Sequence, residues 1–140
     1  MMFIFKLLVV TSLLVLNSFV CFSQSNEKAI LFIETTYKNY LMSMDDIKSI
    51  DKVIRKSCSD RFTKRIYDVP WSREMFICSQ DPYERWIDMI DVSSYYGEKY
   101  TYVLCFYDEK DYPNAHKLKI KMFYEEGKFK IDDISCISVK

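Results

Sequence analysis

The chain has 140 residues, 49% of them hydrophobic, with 20 basic side chains against 20 acidic ones and only two glycines and three prolines. A charge balance this even excludes nucleic acid as the main partner, because that footprint needs a strong basic excess. An apolar content this high, with so few chain breakers, excludes a disordered tail.

Met1 to Val20 is almost wholly apolar, with Lys6 as its single charge, and Leu7 to Leu16 has the length of a signal h-region. A membrane span needs about 20 uninterrupted apolar residues, and Lys6 and Asn17-Ser18 interrupt this stretch. The expectation is a cleaved secretory signal over residues 1–23, with small residues Cys21 and Ser23 at the recognition positions, followed by one domain over 24–140. The exported product is then periplasmic or secreted, with no stable membrane span after cleavage. Lipoprotein signals carry a small residue before the lipidated cysteine, so the bulky Val20 weighs against lipidation of Cys21.

Asn26 is placed to cap a helix from Glu27 to about Ser43, with Ile30, Ile33, Tyr37, Leu41 and Met44 as its apolar stripe. Asp45 or Asp46 caps a second helix, whose inward residues are Ile47, Ile50, Ile54 and Cys58. Ser59 or Asp60 starts a third short turn with Phe62 and Ile66 inward. Pro70 cannot continue a helix, so Val69 to Ser72 reads as a loop. The pattern up to Tyr83 predicts nothing regular.

Strands follow. Trp86 to Val92 is the expected first strand, and Tyr100 to Tyr107, rich in aromatic and β-branched residues, the second. In the last hairpin Leu118, Ile120 and Met122 alternate with lysines, and Phe129 and Ile131 do the same. Matching these apolar faces pairs Met122 with Phe129 and Ile120 with Ile131, around a four-residue loop Tyr124 to Gly127. The apolar phase then slips to Ile134 and Cys136, which predicts a β-bulge at Asp132-Asp133. The fold class is α+β: N-terminal helices packed on a strongly curved antiparallel meander.

Four cysteines lie beyond the signal: Cys58, Cys78, Cys105 and Cys136. An exported domain with four cysteines has three possible connectivities, and buried free thiols are the alternative. In a meander the strand of Leu118 separates Cys105 from Cys136, so that pair is excluded by distance. Cys58–Cys78 is the expected bridge. With no CxxC pair, no metal site is expected, and no motif calls for a cofactor.

Three stretches carry a resemblance: "FIETTYKNYL" at 32–41, "SQDPYERW" at 79–86 with "IDV" at 90–92, and "GKFKIDDI" at 127–134. They resemble the nuclear-transport-factor-2-like cone fold, and within it a family of small exported bacterial domains of unknown function. The resemblance implies a cone-like fold and an export route. It implies no activity, since cone folds host isomerases, dehydratases and plain binding modules.

The chemistry-bearing candidates are few. Asp81, Asp88 and His116 are the only residues singled out as a pocket acid or base, and no sequence feature gives His116, the single histidine, a partner acid. Gln80 and Asp81, with Tyr83 and Trp86, are candidates to hold a ligand at the mouth of the cone, although Asp before Pro is also a common turn starter. Asp132 opposite Lys119 reads as a pair on the outer face. Lysines 117, 119, 121, 128 and 130 form a cationic stripe on the outer face, a candidate to bind an anionic partner, although a charge run of this kind is more often a solvated face. Tyr95, Tyr96, Tyr100, Tyr102 and Tyr107 are candidates to line a pocket, but aromatics on strands are usually core, and core is the default reading. Taken together, the expectation is a non-catalytic exported module that binds a small molecule, peptide or protein, with inhibitor or immunity roles suited to its size. The alternatives are a small lyase or isomerase using a pocket Asp or His, and a domain that forms a homodimer through its sheet.

Overall fold

The computed structural model describes residues 25–69, 72–79, 84–107 and 116–137. The expected signal, Gln80, Asp81 and Tyr83 lie outside them. Helix α1 is described over 25–42, so Asn26 is already helical and does not cap it. Its side-chain oxygen instead accepts a hydrogen bond from the Ser94 hydroxyl at 2.9 Å, tying the helix to the far strand. Ala29, Ile33, Tyr37, Tyr40 and Leu41 recur at helical spacing and are buried.

Asp46 caps helix α2 (Ile47–Ser57), accepting from the Lys48 N–H, and Ile50 and Ile54 face inward while Ile47 stays exposed. Ser59 caps helix α3 (Asp60–Tyr67) through the Phe62 N–H, with Phe62 and Ile66 buried as the spacing predicts. The stretch left unassigned by the sequence contains helix α4 (Ser72–Ile77), which buries Phe76 and Ile77.

The expected first strand is corrected. Glu84–Ile87 is a 3₁₀ turn, and strand β1 is Ile90–Ser94. Trp86 stacks on Phe106 at 4.6 Å between ring centroids, so its packing comes from the turn and not from a strand face. Strands β2 (Thr101–Phe106), β3 (His116–Glu125) and β4 (Lys128–Ile137) complete an antiparallel sheet in the order β1-β2-β3-β4. The helices pack on one face of this curved sheet, around Leu104, Phe106, Leu118, Ile120 and Ile131. Of the five tyrosines read as core, Tyr102 is buried, whereas Tyr95 and Tyr96 are exposed because they fall in the β1–β2 loop.

The closing hairpin keeps its predicted apolar phase but not its register. Met122 pairs with Ile131, Tyr124 with Phe129 and Glu125 with Lys128. Only Glu126 and Gly127 form the loop, and both have positive φ, 50° and 76°. Two central residues of this kind make the turn whose twist matches the strands it joins. A shift of two residues preserves the face, which is why face matching alone did not detect it. The register changes between Lys121 and Met122, where Lys121 pairs with Asp133, so Asp132 is the extra residue of the predicted bulge. Asp132 is therefore not opposite Lys119, which faces Ser135. Its carboxylate accepts from the Ser59 hydroxyl at 2.7 Å and pairs with Arg61, while Asp133 pairs with Arg65. The bulge is thus clamped to α3.

The expected Cys58–Cys78 bridge is also corrected. Cys78 is bonded to Cys136, with Cα atoms 5.6 Å apart, and Cys58 and Cys105 are free and buried. Cys58 follows α2 into the core, where it forms a parallel bridge with Ile131. The bulge brings Cys136 opposite Leu118, on the helix-facing side, within reach of the end of α4. The exclusion of Cys105–Cys136 holds, since β3 separates the two strands.

Candidate ligand-binding groove

Helix α1 has a second, partly exposed apolar edge beside its core stripe. Leu31 and Phe32 lie on it. Phe32 reaches Phe129 on β4, with ring centroids 6.3 Å apart, and Tyr124 on β3 lies 4.7 Å from the same ring. Val53 from α2 closes the opposite side. The result is a groove of about 720 Å³ between α1, α2 and the tip of the β3–β4 hairpin. Its size falls in the range of small-molecule sites, about 300–1,000 Å³.

The polar lining is one-sided. Lys28, Lys56, Lys128 and Lys130 line the groove, and no carboxylate does among the described residues. The Lys130 ammonium donates to the Lys56 backbone carbonyl, which fixes its position without neutralising it. Two buried hydroxyls also line it: Thr36, 4% exposed, donates to Ser57, 6% exposed, at 3.4 Å. That bond uses one of the two hydroxyl protons, and the Ser57 proton has no acceptor among the described residues.

A second cleft, of about 440 Å³, lies at the β1–β2 loop among Tyr95, Tyr96 and Tyr100. Its lining lysine, Lys99, is already engaged, as is Lys119 over the Tyr95 ring. Lys119 bonds Glu98 at 2.7 Å and sits 4.1 Å over the Tyr95 ring, and Lys99 sits 4.9 Å over the Tyr100 ring. This cleft therefore offers an incoming ligand fewer free partners.

Of the candidate catalytic and ligand-holding residues, Trp86, Asp88 and His116 are described, and none of the three lines either cleft. Trp86 is 8% exposed and is a core residue. His116 opens β3; its Nε2 lies 2.7 Å from the Ile77 carbonyl oxygen, and its ring stacks on Trp86 at 5.1 Å. A carbonyl only accepts, so Nε2 carries the proton, and the imidazole holds the end of α4 to the sheet. Asp88 is exposed and lines neither cleft. Among the described residues, no three His, Cys, Asp or Glu side chains gather to hold a metal ion. The groove itself was missed. Its signals were present in the lysines of the β3–β4 stripe, two of which turn out to line it, and in Leu31 and Phe32, which lie off the main helical stripe.

No family model and no curated protein sequence matches the chain. A crystal structure of a protein of unknown function from Bacteroides thetaiotaomicron VPI-5482 is similar in fold, with a TM-score of 0.73 and 19% identity, covering 86% of this chain and 98% of that one. A likeness at this identity shows a shared α+β architecture.

Proposed function

We propose that this chain is a non-catalytic binding module, exported from the cytoplasm, whose ligand lies in the groove between α1, α2 and the β3–β4 hairpin. The observation that carries this reading is the groove's composition: an apolar floor with lysines and hydroxyls and, among the described residues, no carboxylate. Binding needs such a lining, whereas lyase or isomerase chemistry needs a positioned proton acceptor. The helices-first order and curved sheet support placing the domain in the nuclear-transport-factor-2-like superfamily. The apolar leader with Cys21 and Ser23 supports export.

Thr35 is exposed on α1 and lines the groove, so Thr35→Trp fills the site without touching the core. Saturation-transfer NMR of the parent against a mixed small-molecule library should yield binders that the Thr35→Trp variant loses. Binders that persist unchanged in a folded Thr35→Trp protein would place the site elsewhere.

A further inference from the structure

The groove's lining combines two kinds of chemistry. The Lys130 ammonium is held against the Lys56 carbonyl, next in the chain to Ser57, and one of its three protons is used there. Two ammonium protons and the Ser57 hydroxyl proton therefore remain, in a setting where Thr36 and Ser57 are buried. All three are donors, and among the described residues no carboxylate lines the groove to take them. The lining also carries apolar surface: Leu31, 63% exposed, with Phe32, Tyr124 and Phe129. An exposed leucine beside clustered aromatic rings is a surface that gains by being covered.

Resting on the groove reading above, we infer that the ligand is an amphipathic carboxylate, a free medium-chain fatty acid, with its head at Lys130 and Ser57 and its chain over Phe32 and Phe129. The acceptor-only carboxylate matches these donors. Its alkyl chain matches the aromatic floor, where each buried methylene contributes about 0.8 kcal/mol. A neutral lipid would leave the ammonium protons unmatched. A compact inorganic anion would leave the floor uncovered. A dicarboxylate would bring a second charge onto the phenylalanine rings.

The test is isothermal titration of the full mature protein with sodium decanoate and, in parallel, decan-1-ol, which has the same chain without the charge. Decanoate should bind more tightly than the alcohol, and its affinity should fall as salt rises. Lys130→Met should weaken decanoate by about tenfold and leave the alcohol unchanged. Because Lys130 also bonds the Lys56 carbonyl, Lys56→Met serves as a second variant that retains that carbonyl, and it should weaken decanoate in the same direction. Equal binding of the two probes, insensitive to both lysine variants but lost in Thr35→Trp, would overturn the carboxylate assignment and leave the groove as the binding site. Decanoate binding that survives Thr35→Trp would overturn both.

Discussion

Gly127 shows how much a single residue decides. Its φ of +76° lies in the left-handed region, and a Cβ built there would meet nothing within 4 Å. Any penalty for a side chain is therefore backbone strain and not a clash. Gly127→Val should destabilise the domain by about 1 kcal/mol or more, whereas Gly127→Asn should lose much less, because asparagine tolerates this conformation. Chemical denaturation of the two variants checks it, and equal midpoints for Val and Gly would rule out the two-residue turn. Cys58 makes a different residue-scale prediction. Burial pushes its thiol up to about 12 from an ordinary value of 9.0, with Lys130 acting weakly the other way. Burial likewise raises the Tyr37 hydroxyl well above 10.0, and that hydroxyl donates to the Phe76 carbonyl at 2.9 Å. In the unfolded chain these groups lose their protons first. The folded state then holds more protons than the unfolded one, so stability must fall as pH rises from about 9 towards about 12. Unfolding free energies measured across that window should decline, and Cys58→Val should flatten the decline.

At the scale of elements, α3, α4 and β4 form one mechanical unit. The bulge at Asp132 points two successive carboxylates at Arg61 and Arg65 on α3. Burial raises the pKa of Asp132, but the Ser59 hydroxyl and Arg61 outweigh it and hold the carboxyl below its usual range. The same bulge returns Cys136 to the helix side, where it bonds Cys78 across a sequence separation of 58. A loop of that length gives a bridge worth about 4 kcal/mol through the unfolded state. Reduction, or Cys136→Ser, should therefore lower the midpoint of thermal unfolding by many degrees, with α4 losing amide protection first because its six residues are too few to persist alone. A midpoint unmoved by reductant would show that the bridge contributes nothing. The bulge was legible because the apolar phase slipped at Ile131–Ile134. The bridge was not, because α4 gave no periodic signal long enough to place Cys78 near β4. The hairpin register was half-legible, since pleat alternation fixes the face but not a shift of two.

Over the whole molecule, element order was the most legible property. Apolar periods of three and four residues, then of two, predict helices followed by a meander, and that is the fold. The groove was not legible, because it is assembled from the off-stripe edges of three separate elements, and residues 32, 53 and 129 share no local pattern. The bridge between Cys78 and Cys136 bears on where the protein works. Disulfides persist in oxidising compartments and are rare in the cytosol, so the bridge fits the export proposed above. Protein recovered from its native host should therefore begin at Gln24 or close to it, and its intact mass should be lighter by two hydrogens than that of the reduced mature chain. Peptide mapping without reductant should recover Cys78 joined to Cys136, with Cys58 and Cys105 alkylated only after unfolding. A full-length chain with all five thiols free would overturn the exported form. A chain starting at a lipid-modified Cys21 would keep the export but tether the groove to a membrane.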